Sequence, residues 1–366
     1  MPISYDPFVR GPYPVGVHTI HAQDTERARS FPCEIWYPAA AQHAGQDLSA
    51  ATQDTFSVPS RDTPLRQAAV RDAAALPGTC PLIVFSHHSG GHRRAATFLH
   101  THLASHGYVV AALDHSEMVA PELARPSEET AEQLAVRMEA MIASRVPDIR
   151  FLLDRLLDGA AGDSEIRLNA AQIGIVGHSF GGWTALATPE VDERIRAVVA
   201  LAPAGNSKPL PGVIPVKLTF DWGRDVPTLY LVAEEDVPLP LEGMYELFDR
   251  TRSTRHMVIL RRADHLHFMD DVEHEHETVR AMTLPGEAAW MPKAMKPIAE
   301  LCSGDQANLF VRGLTLCHLD ATLRGRAEAQ RFLRGDIESE LAARGVEVRV
   351  HRGDDVRRAV SSEVSR

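Results

Sequence analysis

The chain contains a series of short apolar runs that are rich in β-branched residues, and most of the later runs are continuous rather than alternating. Strands that are buried on both faces have this pattern, whereas half-exposed strands alternate between apolar and polar residues. We therefore predict strands at residues 15–20, 33–37, 82–85, 108–113, 173–176, 195–201, 228–232 and 257–260.

Helical periodicity occupies several of the intervals between these runs. It predicts helices at residues 93–105, from about 128 to 157, at 180–187 and at 241–252. Strands that alternate with helices favour the α/β class, with a mostly parallel, doubly wound sheet and helices on both faces.

Three segments do not fit this alternation, namely residues 39–77, 117–145 and 203–226. Insertions that follow the carboxyl ends of strands surround the ligand crevice of an open α/β sheet. We predict a single domain over residues 1–344, with the three segments as helical insertions that form a cap. Residues 345–366 are expected to be a polar C-terminal segment.

A glycine-flanked serine follows the apolar run 173–176, in the sequence Gly177-His178-Ser179-Phe180-Gly181-Gly182. A helical pattern begins immediately afterwards, and this context indicates a nucleophile elbow of the α/β-hydrolase fold. The small neighbours allow strand and helix backbones to approach, and the helix N-terminus favours developing negative charge. Ser179 is therefore the predicted nucleophile.

The predicted base and acid follow in the chain order Ser, acid, His that this fold uses. His265 lies just past the last predicted strand and is the preferred base, with His267 as the alternative. After strand 228–232 the chain reads Ala233-Glu234-Glu235-Asp236. We predict Asp236 as the acid that orients the imidazole, and Glu235 and Glu234 remain open as alternatives.

The oxyanion hole is expected to use the amide of Phe180 and a second amide from the loop after strand 82–85. That loop reads Ser86-His87-His88-Ser89-Gly90-Gly91-His92, and we assign the second donor to Ser89, with His88 as the alternative. His88 and Trp222 are predicted to contribute to the substrate pocket.

The runs at residues 85–91, 103–112 and 175–182 resemble the secreted platelet-activating-factor acetylhydrolases and their bacterial, dienelactone-hydrolase-like relatives. The opening at 11–16 and the run 35–38 are also similar, so that the resemblance covers about residues 10–275. It implies a Ser/His/Asp esterase that cleaves a short acyl ester without a metal. Mammalian members take their acid from the strand after the nucleophile helix, where this chain has Ala200-Leu201-Ala202-Pro203. The absence of a carboxylate there supports Asp236, and the serine nucleophile disfavours dienelactone hydrolase activity itself.

Composition narrows the classes of partner. The formal net charge is −11 and no long basic run is present, which disfavours nucleic acid binding. No apolar stretch approaches the length of a membrane span, and residues 1–6 lack signal-peptide character, so we expect a cytoplasmic protein. Four scattered cysteines are expected to be reduced, with a Cys302–Cys317 disulfide as the alternative.

Two groups of histidines contain residue types that can bind a metal ion. His274-Glu275-His276-Glu277 lacks the His-Glu-x-x-His spacing, and His87, His88 and His92 lie in the predicted oxyanion loop. We therefore expect no metal and no cofactor. The predicted function is serine-dependent hydrolysis of small or short-acyl carboxylic esters. The alternatives are an amidase or acyltransferase that uses the same acyl-enzyme, and a non-catalytic binding or scaffold protein of this fold.

Overall fold

The computed structural model describes residues 5–58, 61–124, 126, 128–160 and 166–352. The strands of this part of the chain are β1 (Val15–Asp24), β2 (Arg29–Pro38), β3 (Asp54–Phe56), β4 (Leu65–Gln67), β5 (Val70–Arg71), β6 (Gly78–Ser86), β7 (Val109–Leu113), β8 (Ile166–His178), β9 (Ile195–Leu201), β10 (Thr228–Ala233), β11 (Arg255–Leu260) and β12 (Val348–His351). The α-helices are α1 (Thr97–Ser105), α2 (Ser116–Val119), α3 (Ala131–Arg155), α4 (Phe180–Val191), α5 (Leu241–Arg250), α6 (Val272–Ala281), α7 (Met291–Ala294), α8 (Gly304–Thr322), α9 (Ala327–Arg334) and α10 (Ile337–Ala342).

A ten-stranded sheet forms the centre of the molecule, with the strand order β12-β11-β10-β9-β8-β6-β7-β2-β1-β5. The six strands from β11 to β7 in this order pair parallel with one another. Antiparallel pairing occurs between β7 and β2, between β2 and β1, and between β11 and β12. This arrangement confirms the predicted α/β fold with a mostly parallel sheet.

Both faces of the sheet are covered, and this explains the continuous apolar runs. On β6, Leu82 and Val84 belong to the core shared with α3, α4 and α5. Their neighbours Ile83 and Phe85 belong to the opposite core, shared with α1 and α8. Because alternate residues of a strand point to opposite faces, a strand between two cores must be apolar at every position.

The cap differs from the prediction of helical insertions. Residues 203–226 contain no α-helix, and residues 39–77 contain the short strands β3, β4 and β5 with two 3-10 turns. In the former segment, Pro209, Pro211 and Pro215 lack the backbone N–H that a helix interior requires. Residues 117–145 do contribute a helix, since they include the first half of α3. A cap built from these three segments stays a prediction.

The C-terminal segment predicted from residue 345 begins with an ordered strand. β12 pairs antiparallel with β11, with His351 opposite Met257. Residues 353–366 lie outside the described part of the chain. All four cysteines are buried free thiols, so the alternative disulfide between Cys302 and Cys317 is not formed. Among the helices in the described ranges, none has the length and apolar character needed to cross a membrane.

Candidate active site

Ser179 occupies the turn between β8 and α4. β8 ends at His178 and α4 begins at Phe180, and Ser179 adopts φ 59° and ψ −117°. A positive φ is costly for a residue with a side chain and persists only where the surroundings hold it. The Ser179 amide donates to the Leu201 carbonyl at 2.9 Å, and the Ser179 carbonyl accepts from the Ala204 amide at 3.0 Å. These bonds to the neighbouring strand hold the strained turn.

The glycines around Ser179 are required by close backbone contacts. A Cβ at Gly177 would overlap the Gly181 carbonyl, and a Cβ at Gly181 would overlap the Ser86 carbonyl. A Cβ at Gly182 would lie 2.8 Å from the Cα of Pro203. Three backbone segments therefore meet at the start of α4 at distances that only glycine permits. This geometry accounts for the glycine pattern in the sequence.

His265 and Asp236 extend from Ser179 in a continuous hydrogen-bonded line. The Nε2 of His265 lies 2.9 Å from the Oγ of Ser179, and its Nδ1 lies 2.7 Å from the Oδ2 of Asp236. His265 is in the loop after β11, and Asp236 is in the loop after β10. The His265 side chain is 15% exposed and that of Asp236 is 1% exposed. A ligand can thus approach the serine–histidine end while the carboxylate stays shielded from water.

The three adjacent carboxylates predicted as acids have different partners. Asp236 also accepts a hydrogen bond from the Leu239 amide at 2.8 Å. Glu234 accepts from the Arg262 amide at 3.1 Å, and Glu235 pairs with Lys296 at 2.7 Å. Of the three, Asp236 is the one in contact with His265.

His267, the alternative base, points away from Ser179. Its Nδ1 lies 2.8 Å from the Oδ1 of Asp264, and its Nε2 lies 3.1 Å from the Cys302 carbonyl. The other carboxylate oxygen of Asp264 lies 2.6 Å from the Nδ1 of His276. We refer to Asp264, His267 and His276 as the Asp264 cluster. Asp264 directly precedes His265 in the chain, and sequence reasoning did not identify this cluster.

The environment of His265 sets its protonation. Burial alone would lower the pKa of His265, but the charge and hydrogen bond of Asp236 outweigh burial and raise it above the usual value. The neighbouring His178 is different, because burial and the nearby imidazoles lower its pKa well below the usual range. The His178 Nε2 lies 3.0 Å from the His265 carbonyl, so that neutral His178 supports the backbone at His265.

Residues 86–91, which we call the oxyanion loop, follow β6 and lie against the start of α4. Ser89 is exposed in this loop. Phe180 is the first residue of α4, and the first amides of a helix have no intrahelical acceptor. The His88 ring packs over Gly91 and lies 5.5 Å from the His178 ring. Burial, followed by the charges of His92, His265 and Arg145, lowers the pKa of His88 to about 3, so its side chain is neutral.

Trp222 does not reach the site, in contrast to the prediction. Arg224 binds the carbonyls of Trp222 and Ile195, at 3.1 Å and 3.2 Å. Ile195 is the first residue of β9, whereas Ser179 lies beyond the carboxyl end of β8. Trp222 therefore lies near the amino ends of the parallel strands, at the opposite edge of the sheet from Ser179. The segment around Trp222 is apolar and rich in proline, and this composition does not indicate which end of the parallel strands the residue lies near.

Two acidic and histidine groups considered as metal ligands are used within the protein. The Nε2 of His276 lies 2.9 Å from the Lys296 carbonyl, and Glu277 accepts from the Ile298 amide at 3.1 Å. His87 accepts from the His115 amide at 3.1 Å through its Nε2. Within the described ranges, no three His, Cys, Asp or Glu side chains form a group suited to a metal ion.

Comparisons with known proteins match this architecture. A family model described as platelet-activating factor acetylhydrolase, isoform II, matches residues 57–143. The platelet-activating factor acetylhydrolase of Cavia porcellus is 27% identical over 159 residues, which are 34% of this chain and 35% of that protein. The enzyme of the same name from Canis lupus familiaris is 29% identical over 153 residues, covering 33% of this chain and 34% of that protein. The chain thus matches about a third of the length of these curated relatives.

A solved structure matches nearly the whole chain. The ferulic acid esterase from Streptomyces cinnamoneus superposes with a TM-score of 0.63 at 25% sequence identity, covering 93% of this chain and 97% of that chain. This structural match therefore covers much more of the chain than the family model does, which matches only residues 57–143. Together with the parallel sheet and the turn at Ser179, this match shows the α/β-hydrolase fold. Over about a third of its length, the chain is also similar to the platelet-activating factor acetylhydrolases.

Proposed function

We propose that the protein is a serine-dependent hydrolase of small or short-acyl carboxylic esters. The observation that carries this proposal is the line from Ser179 Oγ to His265 Nε2 at 2.9 Å and from His265 Nδ1 to Asp236 Oδ2 at 2.7 Å. A hydroxyl, an imidazole and a buried carboxylate in this order form an activated nucleophile. The relatives named as acetylhydrolases and an esterase favour an ester as the substrate.

The proposed reaction proceeds through an acyl-enzyme. Ser179 Oγ attacks the ester carbonyl while His265 Nε2 accepts the hydroxyl proton. The amides of Phe180 and Ser89 donate to the oxyanion of the tetrahedral intermediate. The intermediate collapses as His265 gives its proton to the leaving alcohol. Water then attacks the acyl group, His265 accepts its proton, and protonation of Ser179 releases the carboxylic acid.

Hydrolysis of p-nitrophenyl esters of graded acyl length tests this proposal. We expect release of p-nitrophenol by the wild-type protein, with the highest kcat/KM on short acyl chains. Ser179→Ala is expected to lower kcat by several orders of magnitude. Ser30→Ala, an exposed serine on β2, is the matched control and is expected to retain wild-type rates. Full activity of Ser179→Ala would contradict the proposal.

The same acyl-enzyme is compatible with transfer to an acceptor other than water. Product analysis in the presence and absence of an added amine or alcohol separates hydrolysis from acyl transfer. We expect the free acid as the main product under both conditions. A cytoplasmic location, as expected from the sequence, stays a prediction.

A further inference from the structure

We propose that Arg145 is a positioning residue that orients and polarises the oxyanion loop. The inference rests on the proposed function, since it concerns the amides that would stabilise the oxyanion. Arg145 lies on α3, far in sequence from both Ser179 and the loop. Its side chain is 0% exposed, which is unusual for an arginine.

The Arg145 guanidinium binds two consecutive carbonyls of the oxyanion loop. Its Nη1 donates to the His87 carbonyl at 2.6 Å, and its Nη2 donates to the His88 carbonyl at 3.2 Å. The guanidinium also lies 4.2 Å from the ring centroid of Phe180. Arg145 therefore contacts both elements that supply the proposed oxyanion donors.

Because the peptide bond is planar, the contacts of Arg145 to these carbonyls also fix the direction of the amides that follow them. In a planar trans peptide the C=O of one residue and the N–H of the next point in opposite directions. Fixing the His88 carbonyl on Arg145 therefore directs the Ser89 N–H away from Arg145. Fixing the His87 carbonyl does the same for the His88 N–H, which is the alternative donor.

The His88 carbonyl has further donors that strengthen this effect. The Nδ1 of His87 lies 2.7 Å from it, and the Gly91 amide donates to it at 3.1 Å. Hydrogen bonds to a carbonyl oxygen polarise the whole peptide unit, so its N–H becomes a stronger donor. A positive charge among those donors adds to the polarisation. The Ser89 amide is thus both aimed and strengthened before any substrate binds.

A second buried network holds the base of the loop. The Oγ of Ser86 lies 2.8 Å from the Nε2 of His115, whose Nδ1 lies 3.1 Å from the Oδ2 of Asp148. Arg145 Nη1 lies 3.4 Å from the same Ser86 hydroxyl. This order resembles a catalytic triad, but all three side chains are fully buried, so no ester can reach Ser86. The network instead anchors the end of β6, from which the oxyanion loop begins.

Glu117 balances the charge of Arg145 within this buried region. It forms an ion pair with Arg145, and its side chain is 3% exposed. A buried ion pair contributes little net stability because desolvation offsets its attraction. The ion pair instead holds the Arg145 guanidinium in the position from which it orients the carbonyls of the oxyanion loop.

The test compares Arg145→Met, Arg145→Lys and the control Arg137→Met, which removes a partly exposed arginine on the same helix. Steady-state kinetics on p-nitrophenyl acetate and inhibition by an aryl trifluoromethyl ketone are measured. This ketone forms a tetrahedral adduct with a serine and places an oxyanion in the hole. Thermal melting reports whether each variant is folded.

We expect Arg145→Met to lower kcat by about 10²-fold, within the range for loss of an oxyanion donor, with little change in KM. Trifluoromethyl ketone affinity is expected to fall by a similar factor. Arg145→Lys keeps the charge and one carbonyl contact, so its loss is expected to be about tenfold. Arg137→Met is expected to match the wild type in all three measurements.

Wild-type kcat in a folded Arg145→Met protein would overturn the inference, as would a loss of kcat without weaker ketone binding. If Arg145→Met does not fold, Arg145→Lys carries the test, and wild-type kcat and ketone affinity in that variant would overturn it. If the wild-type protein has no Ser179-dependent esterase activity, the proposed function fails. Activity that depends on Ser179 but not on Arg145 removes only the present inference.

Discussion

The Nδ1 of His265 lies 2.7 Å from the Oδ2 of Asp236, and this contact determines which ring nitrogen carries the proton. A carboxylate at this distance requires a donor, so the neutral imidazole carries its proton on Nδ1. The lone pair of Nε2 is then directed at the Ser179 hydroxyl, 2.9 Å away. In the proposed mechanism, the same carboxylate stabilises the imidazolium that forms when His265 accepts the serine proton.

The pH dependence of activity should report the pKa of His265. Asp236 raises this pKa above the usual value of about 6.5, against the effect of burial. The base works in its neutral form, so kcat/KM is expected to rise with pH and to reach half of its maximum above pH ~6.5. A pH profile on p-nitrophenyl acetate measures this midpoint.

Substitution of Asp236 tests the cause of that shift. Asp236→Asn removes the charge that raises the pKa, so burial should then lower the midpoint. We also expect kcat to fall by about 10³–10⁴-fold, because the amide favours the wrong tautomer. Glu235→Gln, which removes a carboxylate paired with Lys296, is the control and should keep the wild-type profile. An unchanged midpoint in Asp236→Asn would show that Asp236 does not act on His265.

The close backbone packing at the start of α4 predicts a strong effect of a single methyl group. Gly181→Ala would place a Cβ on the Ser86 carbonyl, so α4 and the oxyanion loop must separate. We expect loss of esterase activity and a melting temperature lower by several degrees. Gly78→Ala is the control, since a Cβ there meets no atom within 4 Å. Equal activity and melting temperature in the two variants would contradict this account of the elbow.

The Asp264 cluster predicts how stability depends on pH. Burial alone would lower the pKa of His267, but the hydrogen bond and charge of Asp264, together with the contact to Cys302, outweigh burial and raise the pKa to about 10. A raised histidine pKa adds stability that is complete below the unfolded value of about 6.5 and is lost as pH rises through about 10. The free energy of unfolding should therefore decline from near-neutral pH toward pH 10.

His267→Gln measures the contribution of this cluster. We expect the variant to be about 3 kcal/mol less stable than wild type at pH 6, because Asp264 loses a buried charged partner. The difference should shrink toward pH 10, where the wild-type histidine loses its proton. The matched control is His274→Gln, an exposed histidine on α6. Urea denaturation between pH 6 and about pH 10 measures the free energy of unfolding of each protein. A difference between wild type and His267→Gln that does not change with pH would contradict the raised pKa of His267.

Sequence patterns predicted most strands of the sheet and the strand-to-helix turn that carries Ser179, because these features follow local rules. The strand 195–201 was predicted with the observed bounds, since all of its residues except Arg196 are apolar, as expected for a strand between two cores. The elbow combines a strand, a glycine-flanked serine and a helix within a few residues. β12 was missed because its sequence, Val348–His351, is half polar and lies at the sheet edge.

Features that depend on contacts between distant segments could not be predicted. Arg145 meets the oxyanion loop across 58 residues of sequence, and nothing in the local pattern of α3 marks it. The choice of acid was open for a related reason, because the fold of one turn decides which of three adjacent carboxylates faces His265. Trp222 was placed in the pocket from its segment, but only the course of the chain decides which sheet edge it reaches.

Trapping of an acyl-enzyme on Ser179 tests the central proposal most directly. The protein is mixed with excess p-nitrophenyl acetate, quenched with acid and digested, and the peptides are analysed by mass spectrometry. We expect acetylation of the peptide at Ser179 in the wild type and none at this position in Ser179→Ala. Turnover of the ester with no adduct on Ser179, or with an adduct on another residue in both proteins, would contradict the account.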